Sequence, residues 1–200
     1  GALGVSATDD GSLGAIVYQD CLGEIDSMEA AFGAGSGIDG APLWIVVYDD
    51  PTNDMDPTDA VLLHAISIPG GTMNSNTGIM NVFDFTTLLG APIAGTGGMW
   101  FGYVIDVSPA ATYPAAWDTS EPTPGTSWYF GNVVPNVMDM TSITNNQFYG
   151  NTDGWGAEYL ITVVGTESGM GTTIYGMDFR GDNFYMSEPS DFVGSWTSIG

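Results

Sequence analysis

Hydrophobic and polar positions alternate along much of this chain with the period of two that a half-buried strand requires. The run GMWFGYVIDV, residues 98–107, is the clearest case. Met99, Phe101, Tyr103, Ile105 and Val107 share one face, with Trp100, Gly102, Val104 and Asp106 on the other, which predicts a strand with a well-defined buried side. PLWIVVYD, residues 42–49, is apolar on both faces and rich in Val, Ile, Trp and Tyr, as befits a central strand between packed layers. Further strands are predicted over 13–19, 26–32, 60–68, 78–85, 126–132, 157–165, 172–179 and 183–187.

Between these runs lie GAGSGIDGAP, PGGTMNSNTG, LGAPIAGTGG, EPTPGT and NTDGWG. Gly supplies positive φ, Pro fixes φ, and Asn or Asp bonds its own backbone, so each is a turn with a mechanism. No amphipathic helix is predicted beyond one turn over 59–63, where Asp59 is placed to cap. About ten strands at short spacing predict an all-β fold, a β-sandwich or jelly-roll-like domain. The expected division is an N-terminal arm over 1–13, a sandwich over 14–165, and a β extension over 166–200 packed on the same domain.

Composition changes this picture through charge. The 200 residues carry 24 acids and one strong base, Arg180, for a net charge of −23, and Lys is absent. Charged residues are 12% of the chain, about half the usual ~25%, so bases are missing rather than acids in excess. Such a chain repels nucleic acid and anionic membrane, which need clustered Lys or Arg, and its field gathers cations. A surface almost without trypsin sites fits an extracellular or cell-surface protein. The opening GALGVSATDDGSLG has no basic region ahead of an apolar one, as expected of a mature chain whose signal peptide is gone.

The same composition removes whole classes of chemistry. One cysteine, Cys21, makes no internal disulfide and is expected to be buried. One histidine, His64, sits inside AVLLHAISI and is expected to pack among aliphatics on a strand. With one His and one Cys the usual zinc sites are unavailable, and no G-x-S-x-G elbow occurs. Without Lys there is no phosphate-loop or Schiff-base chemistry. A carboxylate pair of a glycan hydrolase is allowed by 24 acids, but no local motif places one.

Two clusters remain. In DDPTNDMDPTDAVLL, residues 49–63, Asp50, Asn53, Asp54, Asp56 and Asp59 offer the oxygens that calcium takes, although not at EF-hand spacing. The alternative, commoner for loop carboxylates, is a solvated connection with two Asp-Pro turns and a capping Asp. The aromatics Tyr113, Trp117, Trp128, Tyr129 and Phe130 suit stacking on sugar rings, or the more frequent role of core filler. RGD at 180–182 matches an integrin-recognition tripeptide, and its ordinary reading is a turn between two strands.

The order YDDPTNDMDPTDAVLL, GGMWFGYVID, YPAAWDTSEPTPGTSWYFGN and YLITVVG resembles a group of secreted bacterial β-sandwich domains of large extracellular proteins. The resemblance spans roughly residues 25–165 and implies a fold and an extracellular setting, with no common activity. Two departures stand out. The group usually has Gly where Met55 stands, and about 35 residues follow its closing strand.

Sheets commonly guard their edges with Lys and other charges. A chain without Lys is expected either to close its edges or to pair them with another subunit. The arm, with Leu3, Val5 and Ala7 as alternate side chains, is the expected donor to a neighbour's groove. These observations lead to the expectation of a non-enzymatic extracellular structural subunit that self-assembles into a homo-polymer by strand addition. The alternative is a secreted adhesive or glycan-binding module, calcium-dependent in one version.

Overall fold

The computed structural model describes residues 2–3, 11–33, 41–69, 73–74, 79–107, 115–119, 123–134, 138–167 and 171–175. The fold is all-β and sandwich-like, as the alternation predicts. Its strands are β1 (Ala2–Leu3), β2 (Gly11–Ala30), β3 (Leu43–Asp49), β4 (Val61–Ile68), β5 (Asn81–Asp84), β6 (Ile93–Val107), β7 (Ala115–Asp118), β8 (Ser127–Asn132), β9 (Phe148–Asn151), β10 (Glu158–Tyr159), β11 (Ile161–Glu167) and β12 (Gly171–Tyr175). The main sheet runs β12-β11-β2-β6-β3-β4, with β5, β8 and β9 branching from it, and β1-β7-β10 form a small second sheet.

The two strands expected over 13–19 and 26–32 are one, the 20-residue β2. It pairs with β6 from Gly11↔Val107 to Ile25↔Ile93 without a break. Its first half also pairs with β8, and its second half with β11 and β5, so this one strand joins four others of the main sheet. The change of direction falls where Gly23, at φ 106, faces Gly95, with Gly97 at φ 116 nearby. Positive φ of this kind is cheap only for Gly, and it lets the ribbon bend while its ladder stays paired.

β6 corrects a second expectation. Met99, Phe101, Tyr103 and Ile105 are buried as predicted, but Trp100, Gly102 and Val104 on the other face are buried just as completely. The odd face packs with Leu13, Ala15, Val17, Ile45, Val47, Phe32, Phe83, Tyr159 and Val163 in the larger core. The even face packs with Ile16, Val46, Tyr48 and Phe130 in a smaller one, covered by Met138, Met140 and Ile143. That cover is held by Asn146, which is buried. Its amide nitrogen donates to the carbonyls of Asp139, Ser142 and Ile143 at 2.9, 3.0 and 3.1 Å, while its oxygen accepts from Asn132 Nδ2 at 2.9 Å.

The helical turn expected over 59–63 is absent, since Val61 already pairs with Asp49. The strand expected over 78–85 forms as β5, and the short helix α1 (Phe85–Leu89) begins at the last residue of that run. Asp84 caps it by accepting from Thr87 N at 2.6 Å, the Thr87 hydroxyl and then this N–H hold the Asp84 carboxyl below its usual range, and Gly90 closes the helix at φ 88. The run expected over 157–165 is divided between β10 and β11, and β7 and β9 have no counterpart among the expected strands. Residues 183–187 and the RGD lie outside the described residues.

The arm boundary also moves. Gly11–Leu13 belong to β2, and Ala2–Leu3 pair antiparallel with Ala116 and Ala115 of β7 in the same chain. Val5 and Ala7 lie outside the described residues.

Burial has a pH consequence. It pushes the Cys21 thiol up to about 12, with Asp20 adding to the effect, and it raises the Tyr48, Tyr103 and Tyr159 hydroxyls. In the unfolded chain these groups ionise near their ordinary values, ~8.5 for Cys and ~10 for Tyr. Above those values the unfolded state holds fewer protons than the folded one, so stability falls as pH rises. Tyrosinate absorbance should therefore climb together with loss of near-ultraviolet circular dichroism above about pH 10. Full tyrosine titration with the dichroism intact would contradict this burial.

Candidate functional site

The feature least explained by folding alone is the outer edge of β4. This strand pairs with β3, from Leu43↔Ile68 to Asp49↔Val61, and among the described residues no strand lies on its other side. Its ladder is interrupted between Val47 and Tyr48, where Leu63 is the extra residue, so His64–Ile68 is the regular part. Exposed and half-buried positions alternate along it, with Val61 52% and Leu63 40% exposed. His64 is half-buried opposite Val47, on the face of Ile66 and Ile68, close to the expected aliphatic setting. No acid and no strong base occurs anywhere in the strand.

An open groove of about 310 Å³ begins where β4 ends. Ile68 and Pro69 form one side of it, and Val82, Phe83 and Leu88 of β5 and α1 the other. Val82 is 61% exposed, an unusual position for Val on a strand. Backbone groups along β4 and an apolar slot beside them together suit an added strand, which bonds to the edge and drops alternate side chains into the slot.

The acidic loop follows β3 directly. Asp50 is buried, and its backbone N–H donates to the Gly98 carbonyl at 2.9 Å, tying the loop to β6. Asn53, in left-handed conformation at φ 51, accepts from Gly98 N at 2.6 Å. A Cβ on Gly98 would stand 2.5 Å from both Asn53 Oδ1 and the Tyr18 hydroxyl, so only Gly lets the loop approach this closely. Met55 lies at φ 63 and its N–H donates to Asp50 Oδ2 at 3.1 Å. A left-handed backbone here is the conformation Gly adopts freely, which accounts for a Gly being the expected residue.

The loop brings carboxylate oxygens of Asp50, Asp54 and Asp59 within 4.8 Å of one another, a triad that can hold a metal ion. Thr52 Oγ1 bridges Asp50 and Asp59 at 3.2 and 3.1 Å. Of the five expected ligands, Asn53 and Asp56 are not part of this triad, and Asp54 itself accepts from Asp56 N at 2.9 Å. Asn53 spends its carbonyl on Gly98, and Asp56 accepts from Thr58 N at 2.9 Å. No Lys or Arg occurs among the described residues, so no fixed cation neutralises the triad. The field is felt by the Tyr18 hydroxyl, which is raised first by burial and then by Asp20, Asp50, Cys21 and Asp54.

The expected aromatic cluster is split. Trp128 turns toward the smaller core and its indole N–H donates to the Gly125 carbonyl at 3.1 Å, while Phe130 is fully buried there. Tyr113 lies outside the described residues. Trp117 and Tyr129 do meet, through Trp155, a residue that the sequence presents only as part of a turn. Its ring centroid lies 5.9 Å from that of Trp117 and 4.9 Å from that of Tyr129, and Trp155 is 46% exposed.

No family model, no curated protein and no solved structure matches this chain.

Proposed function

We propose that this chain is a non-enzymatic structural subunit of the cell exterior that assembles with copies of itself by strand addition at β4. The observation that carries this reading is the uncharged edge His64–Ile68, without a neighbour among the described residues and opening onto the apolar groove at Ile68. Charge supports it. Copies carrying −23 repel one another over most of their surface, yet Ala60–Phe83 contains 24 residues without an acid, the longest such run in the chain. Contact between copies is therefore least opposed at β4. Since Leu3 already pairs within its own chain, the site of assembly moves from the arm to this edge.

Calcium has a role in the same reading. Bound at Asp50, Asp54 and Asp59 it would neutralise part of the charge and fix the connection between β3 and β4. Millimolar calcium is expected to raise the unfolding midpoint over that in chelator. At 100 times Kd the gain is about 2.7 kcal/mol, or roughly 5–10 °C for a chain of this size. Asp54→Asn should remove the gain, since Asp54 is exposed and its loss leaves the fold intact. Equal midpoints with calcium and with chelator would retire the calcium assignment.

Sedimentation velocity over a concentration series tests assembly itself, with mass growing beyond 20.9 kDa as the expected result. A constant 20.9 kDa species across the series would reject the reading. A second reading, a glycan-binding module, is favoured by one specific observation, the meeting of Trp117, Tyr129 and Trp155.

A further inference from the structure

Trp155 stands in a short turn with unusual support. Thr152 is buried and its hydroxyl donates to the Ala157 carbonyl, while Trp155 N bonds the Thr152 carbonyl at 2.9 Å. Gly156 closes the turn at φ 55. The construction holds a large aromatic side chain half out in solvent, over Tyr129 of β8 and Trp117 of β7.

Beneath it lie two polar groups with nothing to bind. The Trp117 indole N–H is buried and has no hydrogen-bond partner among the described residues, and neither has the Tyr159 hydroxyl, in a side chain 3% exposed. Trp117 and Tyr159 are direct cross-strand partners in the β7–β10 ladder, so both side chains project from the same face of the small sheet. The Tyr159 hydroxyl is raised first by burial and then by Tyr103 of the larger core and Tyr129 of this cluster. A buried donor left unsatisfied costs about 1–3 kcal/mol, and a second such cross-strand pair, Tyr48 and Trp100, lies in the smaller core.

We propose that Trp117, Tyr129, Trp155 and Tyr159 form a binding site for a neutral glycan. A pyranose ring offers C–H groups to stack on the Trp155 face, and hydroxyls that complete the Trp117 N–H and the Tyr159 O–H once the turn yields to admit them. Neutrality follows from charge. No Lys or Arg is described anywhere, and Asp153 stands in the same turn, accepting from Gly125 N at 2.9 Å, so an anionic sugar meets only repulsion. This site rests on the second reading of function and is separate from the β4 edge.

The test titrates the full chain with neutral hexasaccharides of β-1,4-glucan, β-1,4-mannan and α-1,4-glucan, with oligogalacturonate as the anionic control. Tryptophan fluorescence and calorimetry give the readout. At least one neutral hexasaccharide should bind, and oligogalacturonate should not. Trp155→Ala should weaken binding about tenfold with an unchanged fold, and Trp155→Phe should retain most of it. Tyr159→Phe separates recognition from structure. Removing an unsatisfied hydroxyl leaves stability equal or higher, while binding falls about tenfold. Absence of binding to all three neutral probes overturns the proposal, as does full affinity in both Trp155→Ala and Tyr159→Phe, or preference for the anionic control. None of these outcomes bears on assembly, which sedimentation reads independently.

Discussion

Glutamates placed together at Ala65 and Ser67 are expected to hold the protein as a soluble single chain under conditions where the unaltered protein assembles. Both positions are exposed and lie in the regular part of β4, opposite Val46 and Trp44 of β3. The substitution puts two carboxylates into the longest acid-free run of the chain, where the contact between copies is proposed to form. Like charges brought together at an interface cost several kcal/mol, so the concentration at which assembly begins should rise at least about 100-fold. Exposed strand positions alter the host fold by about 1 kcal/mol or less, so circular dichroism should be preserved. Thr58→Glu in the exposed loop before the strand is the matched control and should assemble normally. Assembly of the double variant at unaltered concentration would remove β4 from the account.

Gly102→Val is expected to leave no folded protein. Gly102 lies in the middle of β6, paired with Ile16 on one side and Val46 on the other. A Cβ added there would stand 1.9 Å from the Ala15 carbonyl oxygen and 2.8 Å from Ile16 Cα, and neither is the yielding end of a side chain. Relief requires parting β2 from β6, the longest ladder of the sheet and the floor of both cores. The expected loss exceeds about 4 kcal/mol, beyond what a domain of modest stability survives. Gly154→Ala, with nothing within 4 Å of its Cβ, is the control and should shift stability by no more than about 0.5 kcal/mol. A cooperative thermal transition retained in Gly102→Val would show that the two strands do not approach as closely as described.

How far the sequence carries toward this structure depends on whether the signal is local. The double-sided apolar run of β3 is written in the residues themselves, and every position from Ile45 to Tyr48 is buried. The single alternating pattern of β6 is legible too, but its second buried face is not. That face is covered by Met138, Met140 and Ile143, from a polar segment with neither strand nor helix period. The unity of β2 is hidden by Gly23, a turn signal in isolation, which here bends a strand kept in register by a partner 72 residues away in Gly95.

The sites divide in the same manner. Asp50, Asp54 and Asp59 are near one another in sequence, so their meeting follows from a tight loop. The diversion of Asn53 to Gly98 is a long-range bond across 45 positions, which no local spacing reports. Trp155 reads as one residue of NTDGWG, and only the packing of β7 and β8 beneath that turn makes it part of an aromatic cluster. The lack of Lys predicts only that edges are closed or paired, not which edge is concerned. That β4 and β12 end the main sheet among the described residues is a property of topology.

Electron microscopy of the unaltered protein at neutral pH, with calcium present, tests the central claim most directly. Pairing of β4 with a second β4 closes as a dimer, whereas addition of a different edge to β4 stays open and builds ribbons, so the account predicts particles of two or more copies. Isolated particles the size of one 20.9 kDa chain at every concentration, with calcium or without it, would contradict it.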